Sequence, residues 1–383
     1  MALKVGVIGG GQLARMMVPP AIHLGLEISV LAENEGSSAR LAATRVGDYH
    51  DAATVLAFAQ GVDAITFDHE HVPQSVLRAL VDAGVAVHPS PEALFVAQDK
   101  LVMRQRLTDL GLPVPDWARL ETPADLAAFL ADHGGRAVVK TARGGYDGKG
   151  VRVVSDPSEV ADWFAGLSDP SVDPESTGGA LLAEELVEFR RELAQSVARR
   201  PSGEIVAWPV VESVQRDGVC AEVIAPAPSS AGRLADMAED IARTIAAELG
   251  VTGVLAVELF ETTDDRILIN ELAMRPHNTG HWSIDGSTTS QFEQHLRAVL
   301  DLPLGDTGTF EDWSVMINVL GGPTTGTLAD RLPAAMADQP SAKIHDYGKD
   351  PRPGRKVGHV TVVGDDLDDV VFRARAAADH FLD

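Results

Sequence analysis

The 383-residue sequence predicts an α/β (α+β) chain of three domains, and three patterns predict it. Residues 1–90 alternate short apolar runs with helical stretches, as a parallel, doubly wound sheet requires. From Ala180 the pattern turns β-rich; Arg190–Ala198, Ile205–Val211 and Val219–Ile224 each carry one polar face, as antiparallel neighbours do. Between these regions, Val138–Val154 reads VVKTARGGYDGKGVRVV, two β-branched runs around a glycine-rich loop. That is a hairpin with an enlarged turn. The boundaries fall at 1–95, 96–302 and 303–383.

Composition narrows the function. A 45% hydrophobic, 23% charged chain is a soluble globular protein, and no apolar run reaches the roughly 20 residues that span a bilayer. MALKVGVIGG runs straight into a strand and a glycine turn, without a secretory signal. Cys220 is the single cysteine, so no internal disulfide forms and a reducing cytoplasm is the simplest setting. Lys and Arg number 32 against 56 acids, a net charge of −24 that repels nucleic acid and anionic membranes. A phosphorylated small molecule needs a local convergence of cations.

In the first domain, Leu3–Ile8 is a strand, Gly9-Gly10-Gly11 a turn and Gln12–His23 a helix. Strands at Ile28–Leu31 and Ala64–Phe67 follow, with helices near Asp51–Gln60 and Pro73–Ala83. Gly9, Gly11 and Ala14 fit the dinucleotide fingerprint, with Glu33 after the second strand, so the domain is Rossmann-like and an NAD-dependent oxidoreductase is a live alternative. Thr66–Pro73, TFDHEHVP, lies at a strand end, where such sheets bind ligands. In an extended segment Asp68 and Glu70 share one face, and His69 and His71 the other. Carboxylates bonding a sugar hydroxyl or an amine fit this better than a metal.

A helix from about Asp99 carries Lys100, Arg104 and Arg106. Thr122, Pro123 and Asp125 spell the start of another, leading into strand Ala137–Lys140 and the glycine loop. That loop is no Walker A sequence: Gly148-Lys149 is followed by Gly150, and a strand stands where a helix should begin. It reads either as a flap over phosphates or as a mobile surface hairpin. Leu181–Val187 is a strand end, and Ala231–Leu249 a helix closed by Gly250.

Val254–Phe260 and Ile267–Ala273 form a hairpin whose turn at Asp264-Asp265 brings Glu258 opposite Asn270 or Glu271. Carboxylates facing each other among Val257, Leu259, Leu268 and Ile269 are costly. A divalent cation resolves the conflict, and two carboxylates with an amide suit Mg²⁺ shared with nucleotide phosphates. Arg275, His277 and Asn278 follow directly in MRPHNTGHW. After helix Gln291–Leu300 comes strand Ser314–Asn318, and then Lys343, Lys349, Arg352, Arg355 and Lys356 concentrate in one segment. Against the acidic background this is an anion site or a counter-charged domain contact.

Seven segments together resemble the N5-carboxyaminoimidazole ribonucleotide synthase family of the ATP-grasp superfamily. They are GGGQLARM (9–16), TFDHEHVP (66–73), QDK (98–100), GGYDGKG (144–150), NELAMRPHNTGHW (270–282), SQFEQHLRAVLDLPL (290–304) and YGKDPRPGRKVGH (347–359). They span nearly the whole chain.

The resemblance implies an ATP-grasp fold behind a Rossmann-like domain, with a small C-terminal β-rich domain. It implies a ligase of purine biosynthesis that uses ATP, bicarbonate and aminoimidazole ribonucleotide, with Mg²⁺ or Mn²⁺, as a cytoplasmic homodimer. For ATP it implies Lys100, Lys140, the loop Gly144, Gly145, Tyr146, Asp147, Gly148, Lys149 and Gly150, then Glu184, Glu185, Leu186, Val187, Glu192, Gln215, Asn270 and Glu271. The metal falls to Glu258, Glu271 and Asn270. The ribonucleotide falls to Gln12, Leu13, Glu70, Arg275, His277, Asn278, Lys349 and Arg355, with Arg275, Lys349, Arg355, Tyr146 and Asp147 at the chemistry. Asp68 stands where the family usually has Glu, Met274 where Pro is common, and Gln215 near the place of a nucleotide-contacting His. A formate-dependent glycinamide ribonucleotide transformylase is the nearest alternative within the superfamily.

Overall fold

A computed structural model describes residues 2–382 apart from 146–149, 168, 170–176 and 231. The first sheet is parallel, in the order β3-β2-β1-β4, from β1 (Lys4–Ile8), β2 (Glu27–Ala32), β3 (Ala43–Val46) and β4 (Ala64–Phe67). The apolar runs form its buried interior. The sequence pattern misses β3, because this short edge strand has no apolar face to announce it. Helix Gln12–His23 starts directly from the glycine turn.

Helix Lys100–Asp109 is capped by Asp99, whose carboxylate accepts from Leu101 N and Val102 N. It leads to a four-stranded sheet ordered β5-β8-β6-β7, from β5 (Trp117–Leu120), β6 (Ala137–Thr141), β7 (Val151–Val154) and β8 (Leu181–Glu185). Thr122 and Asp125 form the expected capping box on helix Pro123–Asp132. Strands β6 and β7 pair antiparallel from Ala137↔Val154 to Lys140↔Val151, so the glycine loop is the tip of a hairpin. Gly144, Gly145 and Gly150 all have positive φ, which glycine adopts without strain.

The third sheet is antiparallel. It runs β14-β13-β9-β11-β12-β15-β17-β16, with β10 paired to β9 off this path. Its strands are β9 (Phe189–Arg199), β10 (Ile205–Ala207), β11 (Val211–Arg216), β12 (Val219–Ala225), β13 (Gly253–Thr262), β14 (Ile267–Ala273), β15 (Trp313–Leu320), β16 (Lys343–Asp346) and β17 (Lys356–Gly364). The expected strand Ile205–Val211 is broken in two around Pro209, which has no N–H to continue a ladder. In the expected C-terminal region, residues 303–383, β15 pairs with β12, so the strands of this small β-rich part continue the central sheet.

His295 ties this sheet to the first domain. Val254 N donates to its Nδ1 at 3.0 Å, so the neutral ring carries its proton on Nε2, 2.7 Å from Thr66 Oγ1. Burial, with a smaller contribution from His88, pushes its pKa from 6.5 down to about 3. Unfolded chains therefore bind a proton below pH 6.5 that the folded chain refuses, and stability falls as the pH drops through that window. His295→Gln is expected to lower the melting temperature at pH 7 yet show a smaller further loss at pH 5 than the parent. An equal acid loss in both proteins, by calorimetry, would contradict this account.

Candidate active site

The hairpin β13–β14 brings the acidic residues together. Glu258 lies opposite Glu271, and a bulge shifts the next pair to Leu259↔Ile269, leaving Asn270 at the irregularity. The two expected registers therefore apply on either side of one bulge. Asn270 Nδ2 lies 3.5 Å from Glu258 Oε2, and His277 Nε2 lies 3.5 Å from Glu258 Oε1. Burial first, then the charges of Glu271 and Glu192, push the Glu258 pKa up to about 8. Burial also raises Glu192 to about 7, against a hydrogen bond from Gln215. Its surroundings thus lack the positive charge that would let this carboxyl ionise in its ordinary range. Glu258, Glu271 and the Asn270 amide present the oxygen donors a hard divalent ion takes. Among the described residues no group of three or more His, Cys, Asp or Glu is arranged to hold a metal by itself, including the TFDHEHVP segment.

Two lysines converge on the same place. Lys100 Nζ is 3.4 Å from Glu271 Oε1 and 3.3 Å from Gly144 O. Lys140 Nζ is 2.6 Å from Glu184 Oε2 and 3.2 Å from Asn270 Oδ1. Glu184, at the end of β8, also receives Arg104 Nε from the interior. Burial opposes ionisation of Glu184, but Arg104 and Lys140 outweigh it and hold its pKa below the ordinary value. Glu185 accepts from Asp116 N at 3.1 Å, and Leu186 and Val187 run out from the strand end beside it.

A second group forms where β1 and β4 end. Asp68 Oδ1 accepts from Ala14 N at 2.7 Å, while Glu70 Oε2 pairs with Arg275 Nε at 2.7 Å. His69 and His71 stack together with centroids 5.2 Å apart, but the segment bends after Phe67, and Asp68 and His69 both approach Gly9, so the two-sided division expected of an extended segment does not apply. A Cβ at Gly11 would sit 2.0 Å from Asp68 Oδ2. The close approach that resembles a dinucleotide fingerprint thus receives the protein's own carboxylate, which corrects the oxidoreductase reading. Burial works against a charged Arg275, yet Glu70, Asp68 and Glu271 raise its pKa.

The C-terminal basic loop is pinned to the first domain. Lys349 Nζ donates to Gln12 Oε1, Arg40 NH1 to Gly348 O at 2.9 Å, and Ser38 Oγ to Tyr347 O at 2.5 Å. Between loop and turn lies a cavity of about 460 Å³, lined by Gly11, Ser38, Arg40, Asp68, Lys349 and Arg355 among others. The basic segment is therefore both a domain contact and one wall of a pocket.

Not every expected residue is placed for ligand contact. The Leu13 side chain is buried in the core, so any contact it makes is through its backbone. Asn278 is buried with its amide exchanged reciprocally with Asn318, at 3.1 and 2.6 Å, which makes it a support for the loop rather than a ligand group. Gln215 donates to Ser213 Oγ at 3.0 Å beside Glu192. Tyr146, Asp147, Gly148 and Lys149 lie outside the described residues. Sequence reading missed Arg40 and the burial of Arg104. Helix KLVMRQRLTD is polar on most sides, and nothing in it marks Arg104 as the cation that points inward.

Comparison with known proteins agrees with this geometry. Residues 1–98 match a ribonucleotide synthetase preATP-grasp domain, 105–292 an ATP-grasp domain, and 314–373 a phosphoribosylaminoimidazole carboxylase C-terminal domain. The N5-carboxyaminoimidazole ribonucleotide synthase of Mycobacterium bovis is 50% identical, covering 100% of this chain and 88% of its own. That of Corynebacterium ammoniagenes is 50% identical, covering 99% and 92%. The Aspergillus clavatus enzyme, solved with ADP and 5-aminoimidazole ribonucleotide, superposes with a TM-score of 0.87 at 31% identity, covering 99% and 98%. The Thermus thermophilus synthetase gives 0.85 at 34% identity, covering 98% of each chain. With an acidic pair and two lysines on one side and a cavity bordered by Lys349 and Arg355 on the other, this chain belongs to the N5-carboxyaminoimidazole ribonucleotide synthase family of ATP-grasp enzymes.

Proposed function

We propose that the chain carboxylates 5-aminoimidazole ribonucleotide to N5-carboxyaminoimidazole ribonucleotide, using ATP and bicarbonate, in purine biosynthesis. The observation that carries this is the course of one strand. β14 delivers Asn270 and Glu271 to the acidic pair, and the chain then places Arg275 against Glu70 and within the field of Asp68, which lines the cavity. Phosphoryl transfer and amine capture are thus held a few residues apart.

Lys100 and Lys140 neutralise the transferring phosphates, with Gly144, Gly145 and Gly150 beside them. Glu184 to Val187 border adenine, and Glu192 takes the ribose. Glu258, Glu271 and Asn270 would hold Mg²⁺ or Mn²⁺, which would neutralise phosphate charge when bound. Bicarbonate oxygen takes the γ-phosphoryl group of ATP, giving carboxyphosphate and ADP. Carboxyphosphate breaks into phosphate and CO₂, and the ribonucleotide amine adds to CO₂ and loses a proton. Arg275 steadies the carboxylate oxygens, and Gln12, Glu70, His277, Lys349 and Arg355 position the ribonucleotide. Burial, with Arg275 and Lys356 nearby, drives His277 well below its ordinary pKa, so it serves as a neutral hydrogen-bonding ring. Among the described residues no helix is long and apolar enough to cross a membrane. As a separate part of the proposal, resting on the family resemblance, the enzyme is a cytoplasmic homodimer.

The test is product analysis with labelled bicarbonate. ADP release should require both bicarbonate and aminoimidazole ribonucleotide, and turnover indifferent to either would refute the assignment. Formate-dependent turnover of glycinamide ribonucleotide would favour the transformylase instead. Lys349→Ala is expected to raise the KM for ribonucleotide roughly tenfold or more, with the KM for ATP within about twofold. Equal effects on both would place Lys349 elsewhere.

A further inference from the structure

Glu184 is the point where the two sheets around the nucleotide site meet, and its partners carry more information than its role beside adenine requires. Its carboxylate is shared: Lys140 holds Oε2 at 2.6 Å, and Arg104 Nε holds Oε1. Lys140 belongs to β6 of the small sheet, yet it also reaches Asn270 Oδ1 on β14 of the large one. Arg104 spans the same gap from behind, donating from NH2 to the Asn270 carbonyl at 2.5 Å. Its side chain is wholly buried, and its NH1 has no hydrogen-bond partner among the described residues. Packing alone does not call for such a group, because an apolar side chain of similar length fills the space without a buried charge or an orphaned donor.

We propose that Arg104 is a positioning residue for ATP. It retains the Glu184 carboxylate so that Lys140 can pass its ammonium to a nucleotide phosphate. Without Arg104, moving Lys140 to a phosphate leaves Glu184 charged and unpaired in the interior, so the lysine stays where it is. The bond to the Asn270 carbonyl adds a second effect: Arg104 sets the spacing between the strand end that borders adenine and the strand that carries the acidic pair. This rests on the assignment of Lys140 to the ATP phosphates.

The experiment uses the full chain and compares Arg104→Met, Arg104→Lys, Lys140→Ala, Glu184→Gln and the double variant R104M/E184Q in steady-state ADP release. R104M is expected to raise the KM for ATP at least about tenfold with the KM for ribonucleotide within about twofold, and R104K to recover most of the loss. In the E184Q background R104M should have a much smaller effect, because no charge remains to be retained. The proposal is overturned if R104M changes both KM values alike or neither, if R104K is no better than R104M, or if the effects of R104M and E184Q simply multiply. Should R104M not fold, R104K and the double variant, which removes the Glu184 charge together with its Arg104 partner, decide the question on the same criteria. If K140A leaves the KM for ATP unchanged, the phosphate assignment itself is wrong. If K140A raises that KM and R104M does not, only the role of Arg104 fails.

Discussion

Glu258→Gln is expected to abolish most turnover while making the nucleotide-free protein more stable. The wild-type group has its pKa raised to about 8, so the folded chain holds a proton that the unfolded chain releases. Stability of the nucleotide-free protein therefore falls as the pH rises from about 4.5 through about 8. Glutamine mimics the protonated form permanently. E258Q should match the parent near pH 5 and melt higher at pH 8. The same change removes one anionic donor from the cation seat, and turnover should fall roughly 10²–10³-fold, the scale of losing one preorganised electrostatic contact. Adding Mg²⁺ and ATP should raise the melting temperature of the parent strongly and that of the variant little. An equal rise in both would remove Glu258 from the metal site.

Arg275→Ala should show the opposite pairing, with activity and stability lost together. Its guanidinium is the counter-ion of Glu70 at 2.7 Å and supports Asp68 through the local field. Removing it leaves largely buried carboxylates uncompensated, a cost of about 3–5 kcal/mol. Turnover should fall by roughly 10²–10³-fold if Arg275 has the role proposed for it beside the reacting carboxylate oxygens. The double variant Glu70→Gln/Arg275→Ala separates the two roles. It should regain a large part of the melting temperature, since one of the stranded charges is removed, and none of the turnover. Recovery of activity in the double variant would make Arg275 a structural residue only.

Much of this site was legible in the chain because its signals are local. Glu258 and Glu271 stand on two β runs joined by a short turn, so hairpin geometry alone brings them face to face. The capped helix start at Thr122 and the glycine hairpin are equally short-range. What stayed hidden needed distant partners. Arg104 looks like any surface cation until Glu184, eighty residues away, draws it inward.

The sequence by itself determined the element types, the acidic pair, the glycine loop and the family, because periodicity, turn chemistry and motif order are written along the chain. Only the tertiary structure decided which groups are spent on the protein itself. Asp68 fills the turn that resembles a dinucleotide site, Asn278 is consumed by Asn318, and Lys349 meets Gln12 across 337 positions. The strands of the C-terminal part also turn out to be hydrogen-bonded to the central sheet. The reason is physical: a polar side chain takes its role from what faces it after burial, and sequence spacing fixes that only for near neighbours.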